Sequence, residues 1–213
     1  MMTPHNKKIP RMSIERLPIY YRTLCNLADN GYLRIKSAQL GKIIQIEPTT
    51  IRRDFSYFGD LGKSGYGYDI AHLIQIFGEI LEVNETQGLA LIGVGNLGRA
   101  LLINNFRRNP NLEIVSAYDA DPHVIGETIN EVTIQSLNEL KEDSQTQAIK
   151  GVISTVPSHA FQEVVDYLVA CGITSILSFA PEPVHVPKNV HVRYLDLTSE
   201  VQNLLLLSDI AEV

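Results

Sequence analysis

Residues 89–98 read Leu-Ala-Leu-Ile-Gly-Val-Gly-Asn-Leu-Gly, an order that few local structures satisfy. An apolar run of strand length, Leu89 to Ile92, meets Gly93-x-Gly95-x-x-Gly98, and a helix-like run from Arg99 to Phe106 follows. Gly93 lets the chain turn off the strand, and Gly95 leaves no Cβ between backbone and a pyrophosphate. Gly98 lets the helix lie close on the sheet, with its first amides facing the anion. The loop residues Val94, Asn96 and Leu97 join the three glycines as candidate cofactor contacts. Glycines also punctuate ordinary strand-to-helix turns, so the context decides. A second strand, Ile114 to Tyr118, ends in Asp119, twenty-one residues past Gly98. A carboxylate there can accept from adenosine ribose hydroxyls and repels a 2′-phosphate, and no Arg or Lys lies between Tyr118 and Glu131 to attract one. The expected cofactor is NADH or NAD+ rather than the phosphorylated form.

Around this strand pattern the chain alternates. Strands are expected at 89–93, 113–118, near 132–134, at 148–155, at 174–179 and near 192–195, with helices at 97–107, to about 142, and at 158–171. Such alternation builds a parallel sheet covered on both faces, with ligand loops at the strands' carboxyl ends. Those ends carry Gly93 to Gly98, Asp119, Thr155-Val156-Pro157 and Phe179-Ala180-Pro181. The last two groups are candidate neighbours of the nicotinamide ribose and ring, though plain strand-ending turn chemistry reads the same way.

Charge separates this body from what precedes it. Residues 1–68 hold eleven Lys or Arg against five Asp or Glu, while residues 69–213 hold seven against nineteen. A basic head on an acidic body points to nucleic acid as the head's partner. After a flexible basic arm (1–12), a helix is expected from Ser13 or Leu17 to Asp29, since Pro18 suits only a first turn. Leu17, Leu24, Leu27 and Ala28 mark its apolar face, and Gly31 ends it. A short helix follows from Ser37 as N-cap to Ile44, then a turn, then Pro48 opening a helix from Thr49 to Phe58. On that helix Ile51, Phe55 and Phe58 share one side, while Thr49, Arg52, Arg53 and Ser56 share the other, with Thr50 beside them and Tyr57 on the flank. Two short helices and a tight turn, the second presenting arginines and hydroxyls, make a helix-turn-helix able to grip guanine edges or phosphates. An arginine pair by itself is more often a solvated face, but the basic balance, the helix spacing and the glycines that follow favour DNA binding. The stretch Lys63-Ser-Gly-Tyr66-Gly-Tyr68 has glycines spaced for a hairpin with a basic tip, as a wing on the DNA backbone would have. Glu47, at the N-cap before Pro48, is awkward there, because a shorter side chain caps better and a carboxylate repels phosphate.

A helical segment, Ile70 to Val83, links head to body. The expected division is 1–84 (winged helix and linker), 85–197 (dinucleotide domain) and 198–213. This last helix, rich in leucine (Val201, Leu204 to Leu207, Ile210), is apolar nearly all round and therefore expected to be buried. It could pack on its own sheet or on a second subunit, and two-fold operators favour the second. No apolar run approaches the ~20 residues that span a bilayer, and Met1 to Arg11 lack the apolar core of a secretory signal. Cys25 and Cys171 stand far apart with no Cys/His cluster, which fits a reducing cytoplasm, small buried thiols and no structural metal.

Seven segments, in order, resemble the Rex family of bacterial redox-sensing transcriptional repressors: Arg16-Leu-Pro-Ile-Tyr-Tyr-Arg22, Ile51-Arg-Arg-Asp-Phe-Ser-Tyr-Phe-Gly59, Gly65-Tyr-Gly-Tyr-Asp69, Gly93-Val-Gly-Asn-Leu-Gly98, Asp119-Ala-Asp-Pro122, Thr155-Val-Pro157 and Phe179-Ala-Pro181. The resemblance implies an α/β chain with an N-terminal winged helix, a Rossmann domain that takes NADH or NAD+, and a homodimer with its C-terminal helices swapped. It also implies repression of fermentative or anaerobic genes, with release from operator DNA when NADH rises. Two departures stand out: Arg52-Arg53 where the family usually has Arg-Lys, and Glu47-Pro48 where it often has Asp or Ser before Pro.

The rival expectation is an NAD-dependent dehydrogenase, which needs a substrate pocket and a proton donor or acceptor. The 130 residues after Val83 are used up by one dinucleotide domain. His159 is the nearest candidate base, although an exposed histidine in a helix's first turn is the stronger reading of it. For a sensor, an apolar pocket formed by Thr155 to Pro157, Phe179 to Pro181 and the partner's C-terminal helix is expected to accept the neutral nicotinamide. Arg22 and Asp196 are candidates for an ion pair across the dimer in one state only.

Overall fold

In a computed structural model, residues 9–63, 66–107, 109, 111–146 and 149–211 are described, without the side chains of 63, 145, 146 and 208–211. The chain forms two units, residues 1–85 and 86–213.

The first unit begins with α1 (Arg11–Asp29), whose inward stripe is Ser13, Leu17, Tyr20 and Leu24. Arg11 and Met12, expected in a flexible arm, are helical; residues 1–8 of that arm lie outside the described residues. Pro18 lies inside the helix rather than in its first turn. Its ring faces water, and the bond it cannot donate would have gone to the carbonyl of exposed Ile14, which solvent can satisfy. Gly31, at φ +80, then turns the chain so that Tyr32 N–H returns to the Leu27 carbonyl.

A two-residue strand β1 (Arg34–Ile35), unforeseen from the pattern, leads to α2 (Ser37–Ile44). Lys36, not Ser37, is the N-cap, and the Gln39 side-chain oxygen accepts from its N–H. The turn from α2 into α3 (Pro48–Phe55) is so close that a Cβ on Gly41 would strike the Ile46 carbonyl oxygen. α3 stops at Phe55, short of the expected Phe58. Tyr57 and Phe58 donate instead to carbonyls three residues back, a tightened turn that sets Phe58 edge-on against Phe77 at 5.5 Å.

β2 (Gly62–Lys63) and β3 (Gly67–Asp69) complete an antiparallel sheet ordered β1-β3-β2. The expected wing tip, Ser64 and Gly65, and the Lys63 side chain lie outside the description. Asp69 caps α4 (Ile70–Ile80) by accepting from His72 N–H. The helix ends three residues before the expected Val83, where Glu82 turns to φ 52. Tyr20, Phe55 and Phe77 meet in the core with Leu17, Leu24, Leu40 and Leu73.

The second unit opens with β4 (Gln87–Ile92), α5 (Asn96–Asn104) and β5 (Leu112–Asp119). Next come the hairpin β6 (Thr128–Ile129) and β7 (Val132–Ser136), then α6 (Leu140–Thr146). β8 (Ile149–Ser154), α7 (Ser158–Ala170), β9 (Ser175–Ser178), β10 (His191–Tyr194) and α8 (Leu197–Ala211) complete it. The sheet order is β10-β9-β8-β4-β5-β7-β6, parallel except for the β6–β7 pair. The chain therefore steps outward from β4 through β5 and crosses back to β8, leaving a switch point at the carboxyl ends of β4 and β8. Successive β8 residues serve opposite faces: Val152 packs with Phe161 and Val165, and Ile153 packs with Leu102 and Ile134.

The last helix departs from expectation. Val201 and Leu204 to Leu207 are 54–66% exposed in the single chain, so these side chains are not packed into its own sheet. Both faces of that sheet already hold helices.

Candidate dinucleotide and nucleic-acid sites

The glycine loop bridges β4 and α5. Gly93 takes φ +88, and a Cβ on it would press on Val156 and the Thr155 backbone at 3.1–3.2 Å. A Cβ on Gly98 would strike the Gly93 carbonyl oxygen and lie 3.2 Å from the Thr155 hydroxyl. Gly98 thus lets the helix close on the loop itself rather than on the sheet. Gly95 is the exposed N-cap of α5, and its missing Cβ would meet nothing within 4 Å. That open space, beside the first-turn amides of Asn96, Leu97 and Gly98, fits a pyrophosphate. Val94 is buried, so only its backbone is placed to serve the loop.

Asp119 stands at the tip of β5 as expected. One carboxylate oxygen accepts from Val94 N–H and the other from Asp121 N–H at 2.9 Å. The side chain is half-buried, and each oxygen keeps a second lone-pair direction for a ribose hydroxyl. On the other flank the Thr155 hydroxyl donates to the Gly93 carbonyl at 2.6 Å, and Thr155 N–H extends the ladder to Ile92. Phe179 N–H donates to the Ser154 carbonyl, so the ends of β8 and β9 adjoin. Phe179 is half-buried, Val156 half-buried, Pro157 and Pro181 exposed, while Ala180 packs into the core. The fold therefore gathers the expected residues at four adjacent strand ends, with the Ala180 side chain turned away. The Val94–Asp119 and Thr155–Gly93 ties have no signature in residue spacing. His159 is exposed in the first turn of α7.

In the first unit, Thr49, Arg52 and Arg53 on α3 and its C-cap Ser56 are exposed, opposite buried Ile51, Asp54 and Phe55, while Thr50 and Tyr57 are half-buried. Arg52 does not point straight out: its guanidinium donates to the Ser37 hydroxyl on α2 at 3.1 Å. Ser56 donates to the Arg53 carbonyl at 2.7 Å, leaving its oxygen as an acceptor. Tyr66 is 71% exposed, with the Arg34 guanidinium 5.0 Å from its ring centre. Glu47 is exposed and makes no cap bond, the mild mismatch expected.

Sequence reasoning missed Asp54, a fully buried carboxylate on α3. It accepts from Ser13 Oγ (2.8 Å), Arg16 Nη2 (2.8 Å), Arg16 Nε (2.6 Å) and Tyr20 OH (2.6 Å). Burial pushes its pKa up, but the bonds from Arg16, Tyr20 and Ser13 outweigh that and hold it below the usual carboxylate range. The bonds that Arg16 donates to Asp54 raise its own pKa, and burial followed by its separate bond to Asp54 raises the Tyr20 phenol. The available signal was a charged residue between Ile51 and Phe55 on an otherwise apolar face.

Arg22 is exposed on α1, and Asp196 caps α8 by accepting from Thr198 N–H and the Ser199 hydroxyl. The Ser199 bonds and Thr198 N–H keep that carboxyl below its ordinary pKa. Cys25 and Cys171 are half-buried free thiols. Among the described residues no group of three or more His, Cys, Asp or Glu could hold a metal, and no helix is long and apolar enough to cross a membrane.

Two family models match the chain: "CoA binding domain" over residues 84–182 and "Putative DNA-binding protein N-terminus" over residues 8–56. The redox-sensing transcriptional repressor Rex 2 of Enterococcus faecalis is 50% identical over 95% of this chain and 94% of its own length. Rex of Latilactobacillus sakei is 51% identical over 98% of this chain and 100% of its own. Among solved structures, the Rex-family repressor RSP with beta-NAD+ and operator DNA superposes with a TM-score of 0.86 at 28% identity, over 97% of this chain and 95% of that one. RSP with beta-NADH superposes at 0.84 and 27% identity, over 97% of each chain. With half its residues shared along nearly the full length of such relatives, the chain belongs to the Rex family of redox-sensing transcriptional repressors.

Proposed function

We propose that this chain represses transcription as a homodimer on two-fold operator DNA and leaves it when NADH occupies the crevice at β4 and β8. One observation carries the reading: a helix-turn-helix with Arg52 and Arg53 exposed on its second helix is joined in one chain to a dinucleotide crevice. Thr49, Arg52 and Arg53, with Thr50, Ser56 and Tyr57 beside them, serve the major groove, and Lys63 and Tyr66 serve the wing. The boundaries 1–84, 85–197 and 198–213 correspond to DNA binding, cofactor binding and dimerisation.

Gly93, Gly95 and Gly98, with the amides of Asn96 and Leu97, hold the pyrophosphate. Asp119 takes the adenosine ribose and disfavours any adenosine carrying a ribose phosphate, NADPH and coenzyme A included. Thr155 to Pro157 and Phe179 to Pro181 flank the nicotinamide, where the two redox forms differ by one ring charge. The cofactor supplies that difference and no hydride transfer, and the protein acts in the cytoplasm without being an enzyme.

A ligand that binds both conformations equally shifts nothing, so NADH must favour the DNA-free form. A preference of ~1–3 kcal/mol suffices for a usable switch. The exposed leucines of α8 give the second subunit its contact, and Arg22 pairs with the partner subunit's Asp196 in one state only.

The test is a titration of palindromic duplex DNA at fixed salt, with NADH and NAD+ added separately. Release by NADH and retention with NAD+ is the expected result. Binding indifferent to both would refute the sensor, and consumption of NADH with turnover of a carbonyl substrate, lost in His159→Ala, would favour a dehydrogenase.

A further inference from the structure

Asp54 has no part in the reading above, yet its carboxylate is fully buried and accepts four hydrogen bonds. A carboxylate offers about four lone-pair directions, and here four donors fill them, all from Ser13, Arg16 and Tyr20 on one stripe of α1. The Arg16 fork is bidentate, which fixes the plane of the carboxylate as well as its position. Buried ion pairs contribute little net stability against apolar residues of the same size, so stability alone does not explain this one. What such a pair does supply is a single orientation.

We propose that Asp54 is a positioning residue that sets the roll of α3 about its own axis, so that α1, on the helix's inner side, governs which bases Arg52 and Arg53 reach. This rests on the DNA-binding reading. The geometry makes roll the sensitive coordinate. A helix with side chains has a radius of about 6 Å, so a roll of about 20° carries an outward guanidinium about 2 Å sideways. That exceeds what a bidentate bond to a guanine edge tolerates, whereas a phosphate contact can follow by side-chain adjustment. Loosening the cluster should therefore cost sequence discrimination before it costs general affinity for DNA.

The obvious change, Asp54→Ala, strands Arg16 in a buried site and risks unfolding, so the cluster is best loosened from α1. Tyr20→Phe keeps the ring against Phe55 and deletes one donor, and Arg16→Lys keeps the charge but removes the fork. The full-length variants are titrated, well below their melting temperatures, with the duplex that wild-type protein selects from a randomised palindrome pool and with a scrambled duplex. The expected result is a loss of about tenfold on the selected duplex, the scale of one misread base pair, with scrambled-duplex and NADH affinities unchanged. A parallel fall on both duplexes, or an unchanged ratio with only a lower melting temperature, would overturn the proposal. Failure of the wild-type protein to enrich any duplex would sink the DNA-binding reading instead.

Discussion

Gly95 and Gly98 stand three residues apart in one loop, yet replacing each by alanine should do opposite things. A methyl on Gly98 runs into the Gly93 carbonyl oxygen, a backbone atom that no rotamer change can move. Overpacking of that kind costs about 1–3 kcal/mol, so Gly98→Ala should lower the melting temperature with no cofactor present. A methyl on Gly95 meets nothing within 4 Å, at a φ of −71° that alanine accepts. Restricting the unfolded chain gains a few tenths to about 1 kcal/mol, and a poorer N-cap gives a similar amount back. Gly95→Ala should therefore melt within about 1 kcal/mol of wild type.

The cofactor reverses the ranking of interest. NADH at a hundred times its Kd stabilises the wild-type protein by about 2.7 kcal/mol. If the Gly95 methyl intrudes on the pyrophosphate by a similar energy, Kd rises about a hundredfold and the same NADH concentration adds only about 0.4 kcal/mol. Thermal melts with and without NADH, with calorimetric titration as a cross-check, read both quantities. A Gly95→Ala variant that keeps the full NADH shift, or that is destabilised without cofactor as much as Gly98→Ala, would refute the placement of the phosphates.

Asp119→Asn keeps an acceptor for Val94 N–H but removes the charge, so NADPH should gain on NADH in competitive titration; an unchanged ratio would count against Asp119 as the discriminating group. Leu205→Glu combined with Leu207→Glu should convert a dimer to monomer in sedimentation velocity, because both side chains lie exposed on α8; a dimer that persists would place the interface elsewhere. The depressed pKa of Asp54 means that its contribution to stability is complete above about pH 4 and is lost as pH falls through the folded-state value. Asp54→Asn should accordingly flatten the acid limb of melting temperature against pH, and an identical limb would show that the carboxyl is not depressed.

Local chemistry explains which of these features could be read from residues alone. Gly93, Gly95, Gly98 and Asp119 sit at spacings set by backbone geometry, and the outward face of α3 follows from a 3.6-residue repeat. Pro18 misled because the rule against interior proline assumes a buried or needed bond, whereas Pro18 and Ile14 are both exposed. Asp54 was invisible because its three partners lie 34 to 41 residues away, on a helix whose polar residues look like a solvated face. Leucines at 204–207 signalled a need for burial that the single chain does not meet, and periodicity does not say which surface would meet it. Ser37 looked like a cap and proved to be the anchor for Arg52, a contact fifteen residues long in sequence.

The glycine loop is tied on both flanks, by Asp119 to Val94 and by Thr155 to Gly93, before any ligand arrives. A cradle already in shape spends little ordering entropy on capture. It also holds the portion that NADH and NAD+ have in common, so it strengthens both alike and discriminates between neither. Under the proposed function this makes the two forms competitors for one site. Once the site is saturated, the repressor reports the proportion of reduced to oxidised cofactor rather than the size of the pool.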